Sequence, residues 1–203
     1  ASRRSAAWTA TRRASASPNR SAALAANTQL LVIGRRLYPG ATEVGPVAQR
    51  ILAAAPCAVL VVAPGSQLWS RRVLVAFDGS DAARSATELA AQLAKPRQLP
   101  ITLFSITDSS RQLPPEIEDA AQLSIAELKL NGLTGDLSGG NGNIAEGILK
   151  AARDTGADLI VLYRHTRGGL SRKLLGSVGD EVIRGADVPV LLVGETAQTG
   201  LDA

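Results

Sequence analysis

The chain has 203 residues, of which 45% are hydrophobic and 20% are charged, and its net charge is +4. Its longest apolar runs fall short of the roughly 18–20 residues that a membrane-spanning helix needs, so the composition predicts a soluble globular protein. The single cysteine and single histidine exclude a disulfide framework and a Cys/His zinc site, and they favour a reducing, cytoplasmic compartment.

The first third of the chain predicts only part of a folding unit. Short aliphatic runs indicate buried strands, and Gly-Pro pairs mark helix starts or turns. The predicted elements, in chain order, are a short helix or basic tail over 1–27, a strand over 30–33, a helix over 45–55, a strand over 58–62 and a linker over 64–66.

The remainder of the chain alternates predicted strands with predicted helices. The expected strands lie at 73–77, 101–106, 133–137, 159–162 and 188–193, and the expected helices at 82–94, 114–130, 144–155 and 177–184. The glycine-rich segment 138–142 is expected to form a loop. This order predicts an α/β fold with an open, doubly wound sheet of five parallel strands.

The chain also contains an internal repeat. Residues 47–62, VAQRILAAAPCAVLVV, align with residues 178–193, VGDEVIRGADVPVLLV, and their apolar positions match. Residues 29–33 align in the same way with residues 158–162. We therefore expect a partial first copy followed by a complete second copy. The expected boundaries are 1–66 for the C-terminal part of a first unit plus linker, 71–195 for a complete second unit, and 196–203 for a tail.

Three segments of the second unit resemble the universal stress protein family. They are VLVAFDGSDAARSA at 73–86, GILKAARDTGADLIVL at 147–162 and RHTRGGLSRKLLGSVGDEVIRGADVPVLLV at 164–193. The resemblance implies an adenine nucleotide alpha hydrolase-like fold whose units pair through their last strands. One branch of the family binds ATP through Gly-x₂-Gly-x₉-Gly-Ser/Thr after the fourth strand and an Asp after the first. Another branch lacks this motif and binds no nucleotide detectably.

The second unit keeps the end of that motif and departs from its beginning. Gly176 and Ser177 match its last two residues, whereas Tyr163 and Thr166 stand at its first two glycines. Asp78 matches the Asp that faces the ribose or a metal, and it is the expected Mg²⁺ ligand if Mg-ATP binds. No catalytic residue is expected. The resemblance implies these nucleotide-binding residues: Val75, Ala76, Asp78, Gly79, Ser80, Arg164, Thr166, Arg167, Gly169, Gly176, Ser177 and Val178.

The same residues also have structural interpretations. Asp-Gly-Ser at 78–80 is a common turn sequence, and Ser177 can act as a helix N-cap. His165 has no evident nucleophile beside it and fits a solvated loop. The basic side chains after the fourth strand could attract an anion or form a solvated face; they are Arg164, Arg167, Arg172 and Lys173.

Three functional hypotheses follow. The favoured one is a non-enzymatic stress-response regulator with degenerate ATP binding, which forms a homodimer or pairs its two units through strands 58–62 and 188–193. The second is an ATP-binding switch or slow ATPase in residues 71–195. The third is a basic nucleic-acid-binding module, suggested by the positive charge. The aromatic content of 3% argues against it, because stacking on bases requires aromatic side chains.

Overall fold

A seven-stranded sheet organises the fold in a computed structural model that describes residues 30–35, 51–52, 55–63, 65–107, 112–164 and 176–194. Its strands are β1 (Leu30–Gly34), β2 (Ala58–Val62), β3 (Val73–Ala76), β4 (Ile101–Thr107), β5 (Gly135–Asn141), β6 (Leu159–Tyr163) and β7 (Val190–Val193). Their order across the sheet is β1-β2-β7-β6-β3-β4-β5. The strand order reverses beside β3: β4 and β5 follow on one side, whereas β6 and β7 lie on the other, as in doubly wound folds.

The strand directions divide the sheet into two parts. Strands β3 to β7 run parallel to one another through the pairs β3–β4, β4–β5, β3–β6 and β6–β7. Strands β1 and β2 are parallel to each other, but β2 pairs antiparallel with β7. The predicted α/β class is confirmed. The whole sheet, however, is mixed and has seven strands, because β1 and β2 extend the five parallel strands beyond β7.

Helices follow the strands of the parallel part. They are α1 (Asp81–Ala94), α2 (Pro115–Leu130), α3 (Ile144–Thr155) and α4 (Gly176–Gly185). The side chain of Asn143 caps α3 by accepting from the Glu146 N–H at 3.0 Å, and Gly156 ends that helix with φ 69°. The start of α2 carries Pro114 and Pro115, which suit a first turn because its N–H groups have no intrahelical partner.

The helices cover both faces of the sheet and create two hydrophobic cores. Helices α3 and α4 pack on one face, where Ile148 and Val182 lie against Leu74 and Ile160. Helices α1 and α2 pack on the other, where alanines of α1 and Ile125 of α2 lie with Val75 and Leu191. The strands between the two edges, from β2 to β4 across the sheet, are therefore buried on both faces, which explains why they are mainly apolar without alternation.

Strand β5 differs from its prediction. It spans Gly135–Asn141 and includes the glycines that had suggested a loop. It pairs with β4 along its whole length, from Gly135 opposite Ile101 to Asn141 opposite Thr107. A Cβ on Gly140 would lie 2.8 Å from the Phe104 ring, so the glycine permits the close approach of that side chain. Gly135 permits a similar approach of Leu128 from α2, so these glycines reflect close packing rather than a turn.

The predictions for the first third of the chain are tested only in part. Strands β1 and β2 form as expected, and Ile51 and Leu52 are helical. The predicted element over 1–27 and most of the helix over 45–55 lie outside the described residues. Within the described ranges, no helix is both long and apolar enough to cross a bilayer.

Candidate functional site

The order of the strands creates a crevice beside β3. From β3 the chain proceeds to β4 and β5 on one side, and later to β6 and β7 on the other. The carboxyl ends of β3 and β6 lie side by side because Val75 pairs with Val161 in parallel register. Ligands of open α/β sheets bind at such a reversal of strand order, outside the carboxyl ends of the strands. The candidate site is therefore the crevice between the ends of β3 and β6.

The turn after β3 brings Asp78 to this crevice. The Asp78 side chain is exposed, and its Oδ1 accepts hydrogen bonds from the Ser80 N–H at 3.0 Å and the Ser80 hydroxyl at 2.5 Å. Gly79 has φ 80°, a conformation that favours glycine. The Ser80 Oγ also accepts from the Ala83 N–H at 3.2 Å and so caps α1. The turn holds the Asp78 carboxylate in one orientation at the mouth of the crevice.

The two predicted residues at the end of β3 occupy different environments. Val75 is 0% exposed, and its strand pairs with β4 on one side and β6 on the other. Ala76 is half-buried and packs against the core under α3 and α4. Val75 therefore belongs to the core, whereas Ala76 is the residue of this strand that lies at the edge of the crevice.

Tyr163 ends β6 on the other side of the crevice. It is half-buried and packs against the core under α1 and α2. In the sequence it occupies the position at which the family motif has its first glycine. A tyrosine does not allow the close backbone approach that a glycine allows a phosphate, so this position departs from the family motif.

Arg164, also predicted to bind the nucleotide, instead donates hydrogen bonds to backbone carbonyls of the segment before β2. Its side chain is 4% exposed. The guanidinium donates to the Leu52 carbonyl and, at 3.0 Å, to the Ala55 carbonyl. Burial lowers the pKa of this guanidinium, and neighbouring Cys57 and Tyr163 counteract that effect. Arg164 thus connects β6 to the segment before β2, and its guanidinium is not available to an anion in the crevice.

The N-terminus of α4 supplies the remaining described part of the predicted site. The helix begins at Gly176, so Ser177 lies in its first turn rather than before it. Ser177 is exposed, and Val178 is half-buried against the core under α3 and α4. First-turn N–H groups have no intrahelical acceptor and favour anions. Predicted residues Thr166, Arg167 and Gly169 lie outside the described residues, as do His165, Arg172 and Lys173.

Two features of the structure were not predicted from the sequence: a perturbed carboxyl in α4 and a groove beside β5. Burial raises the pKa of the Asp180 carboxyl in α4, and the charge of Arg184 partly offsets this effect. A groove of about 850 Å³ also lies at the ends of β4 and β5 and the start of α2. Its lining residues are Thr107, Gln112, Leu113, Pro115, Glu118, Gly139, Gly140 and Asn141. The groove could not be foreseen, because its glycines had been interpreted as a loop.

The described residues provide no group of three or more His, Cys, Asp or Glu side chains placed to hold a metal ion. Asp78 is thus the one predicted metal ligand to consider among them. A single carboxylate at a crevice suits Mg²⁺ that arrives with phosphate oxygens rather than a metal held by the protein alone.

Comparisons with known proteins cover residues 70–194 and, for one solved structure, 87% of the chain. The model of the Universal stress protein family matches residues 70–194. Universal stress protein YxiE of Bacillus subtilis (strain 168) is 29% identical over 144 residues, covering 60% of this chain and 97% of that protein. The structure of a universal stress protein from Archaeoglobus fulgidus DSM 4304 gives a TM-score of 0.67 at 18% identity, covering 87% of this chain and 64% of the other.

A second similar structure was solved with a bound nucleotide. A universal stress protein in complex with cAMP gives a TM-score of 0.52 at 24% identity, covering 63% of this chain and 98% of that protein. At this identity the likeness concerns the fold. The present chain spans less than two thirds of the Archaeoglobus fulgidus structure, at 64% of its length.

Proposed function

Since the chain belongs to the universal stress protein family, we propose that residues 71–195 form a regulatory module of a stress response that responds to an adenine nucleotide without turning it over. The observation that carries this proposal is the position of Asp78. Its exposed carboxylate lies at the reversal of strand order, within the segment that the family model matches. A carboxylate there can accept hydrogen bonds from ribose hydroxyls or bind Mg²⁺ carried by phosphates.

The other described parts of the crevice support a nucleotide over a smaller ligand. Ala76 offers a small apolar surface to a base, and the first turn of α4 offers N–H groups to a phosphate. Tyr163 stands where the family motif has its first glycine, and the loss of that glycine favours weak binding. A structural relative in complex with cAMP supports an adenine ring as the base. ATP is proposed on the basis of the motif residues Gly176 and Ser177.

A regulatory role is proposed in preference to an ATPase. Phosphoryl transfer requires metal ions on the phosphates and a group that positions the attacking water. In the described part of the crevice, Asp78 is the ionisable carboxylate at the mouth, and Ser80 already donates to its Oδ1. One carboxylate is sufficient to recognise a ribose, whereas hydrolysis requires further groups.

Calorimetric titration tests the nucleotide proposal. We expect ATP with Mg²⁺ to bind, and Asp78→Asn to weaken binding about tenfold, since a hydrogen bond to a charged group contributes about 1.5–3 kcal/mol. Asparagine keeps an oxygen for the Ser80 N–H and therefore preserves the turn. The control is Asp187→Asn, because Asp187 is exposed just before β7, at the opposite end of the strands.

The outcomes separate the alternatives. Absence of heat at millimolar ATP and cAMP, with and without Mg²⁺, would contradict nucleotide binding. Equal affinities of the two Asp variants would remove Asp78 from the site. Release of phosphate from ATP, abolished in Asp78→Asn, would favour the slow ATPase over the regulator.

We also propose that β1 and β2 belong to the C-terminal part of a first unit, residues 1–66, which pairs with the second unit through their last strands. The repeat supports this arrangement, because β2 and β7 occupy equivalent positions in the two aligned segments. Their antiparallel pairing supports it as well, since two equivalent strands related by a twofold axis must run in opposite directions.

A further inference from the structure

Two arginines, one from each part of the sheet, cross the boundary between β2 and β7. Arg164 follows β6, and its guanidinium donates to the carbonyls of Leu52, Ala55 and Cys57, the last two at 3.0 and 3.4 Å. Ile51 and Leu52 are helical, and the Ala55 N–H donates to the Ile51 carbonyl at 2.9 Å. Arg164 therefore binds the C-terminal end of the helix that precedes β2.

Arg35 makes the reciprocal contact. It follows β1, and its Nη1 donates to the carbonyls of Ile183, Arg184 and Ala186 at 3.0, 3.1 and 2.6 Å. These carbonyls lie at the C-terminal end of α4 and just beyond it. Each arginine thus reaches across the sheet to the helix end of the other part.

The internal repeat makes these contacts equivalent. Arg35 and Arg164 each stand two residues after the aligned segments 29–33 and 158–162. In the alignment of 47–62 with 178–193, Leu52 corresponds to Ile183, and both accept from the arginine of the other part. Ala55 and Ala186 correspond and accept in the same way.

The strand register has the same symmetry. Leu60 pairs with Leu191, and these two residues correspond in the repeat. The pairs on either side of them exchange equivalent positions: Val59 with Leu192, and Val61 with Val190. A twofold axis through the Leu60–Leu191 pair therefore relates both the strands and the two arginine contacts. Such an interface is isologous, because each side presents the same donor and the same acceptors.

The chemistry explains why arginine occupies both positions. The last carbonyls of a helix lack intrahelical donors and carry the negative end of its dipole. A guanidinium presents several N–H groups in a fixed plane and can satisfy two or three carbonyls at once, whereas an ammonium is a compact point charge. Arg164 is buried and Arg35 is half-buried, so removing either group would leave carbonyls without a donor.

We propose that Arg35 and Arg164 form a reciprocal latch that determines which partner the β7 edge accepts. The fitting partner is a unit of the same fold that carries an arginine after its fourth strand and open carbonyls at the end of its last helix. In this chain that partner is the segment containing β1 and β2, so the inference rests on the pairing of the two units proposed above. A strand without these two features would pair with β7 less tightly.

Disulfide trapping in the full chain tests the latch. In a Cys57→Ala background, cysteines replace Val59 and Leu192, which are opposite each other in the register. Cross-strand neighbours lie within reach of a disulfide, and the fraction oxidised in a glutathione buffer reports how tightly the strands pair. Arg164→Gln or Arg35→Gln should lower the equilibrium constant for this disulfide about tenfold, as expected for lost charged hydrogen bonds.

A control variant and the possible outcomes distinguish the proposed role of the two arginines from the pairing of the two units. Arg153→Gln alters an exposed arginine of α3 and should leave the disulfide unchanged, whereas combining both latch substitutions should weaken it further. If Arg164→Gln lowers the helical circular dichroism, the variant has lost structure, and the effect of Arg35→Gln, at the more exposed position, then tests the latch. No disulfide in the parent would overturn the pairing of the units. A disulfide that forms equally in parent, control and latch variants would overturn the latch alone.

Discussion

Replacing Leu191 with alanine is expected to lower the free energy of unfolding by about 2–5 kcal/mol, the range for buried leucines whose truncation leaves a cavity. Leu191 is 0% exposed. It lies in β7 between Val161 of β6 and Leu60 of β2, so the cavity would open where the two parts of the sheet meet. Urea denaturation followed by circular dichroism measures the change.

A leucine-to-alanine substitution at an exposed position provides the control for this prediction. Leu130→Ala removes the same atoms from a side chain that is 88% exposed at the end of α2, and its effect should stay within about 0.5 kcal/mol. Equal unfolding midpoints for the two alanine variants would contradict the placement of β7 in the interior of the sheet.

The second large effect concerns Asp158, whose carboxylate anchors the segment leading into β3. It accepts from the backbone N–H groups of Ser70, Arg71 and Arg72 at 2.7 to 3.1 Å. Asp158→Ala should lower the free energy of unfolding at pH 7 by about 2 kcal/mol, because hydrogen bonds to a charged group contribute about 1.5–3 kcal/mol. Chemical denaturation at fixed pH provides the measurement.

This effect should depend on pH with a definite sign. Burial acts to raise the pKa of the Asp158 carboxyl, but the N–H groups of Ser70, Arg72 and Arg71 and the charge of Arg71 outweigh it, so the pKa lies below its ordinary value. A lowered pKa in the folded state gives stability that is complete above the unfolded value of about 3.9 and is lost as pH falls through the folded value. The difference between wild type and Asp158→Ala should therefore shrink below pH 4.

The control for this prediction is Asp154→Ala. Asp154 pairs with Lys150 on the exposed surface of α3, and such pairs contribute about 0–1 kcal/mol. A loss in Asp158→Ala no greater than in Asp154→Ala, or a difference that grows with acidity, would contradict the anchoring role.

The sequence predicts most of the sheet because every strand except β5 is mainly apolar. A strand covered on both faces must be apolar without alternation, so the segments containing Val75, Ile160 and Leu191 are recognisable without a structure. Strand β5 was predicted only in part, because a strand was expected over 133–137 and a loop over 138–142, whereas the strand spans Gly135–Asn141. Gly140 packs close to Phe104 and Gly135 close to Leu128, and tertiary packing of this kind leaves no local sequence signal that distinguishes such a strand from a loop.

The candidate site was harder to predict than the fold. Asp78 and Ser80 were proposed as site residues from the resemblance, and the structure adds that they hydrogen-bond within one turn. Arg164 was interpreted as an anion ligand, since a basic residue after a strand fits that role. Its burial against the carbonyls of Leu52 and Ala55 depends on a segment more than a hundred positions earlier in the chain. The internal repeat could have indicated a structural role for Arg164, because it aligns Arg164 with Arg35.

The central proposal is that the crevice between β3 and β6 binds an adenine nucleotide, and amide chemical shifts of isotopically labelled protein during titration with Mg-ATP test it most directly. We predict saturable shifts at Ala76, Gly79 and Ser80 after β3, and at Ser177 and Val178 in the first turn of α4. The amides next to Asp187, at the opposite end of the strands, should remain unchanged. Shifts absent from the crevice at saturating nucleotide, or confined to that opposite end, would contradict the proposal.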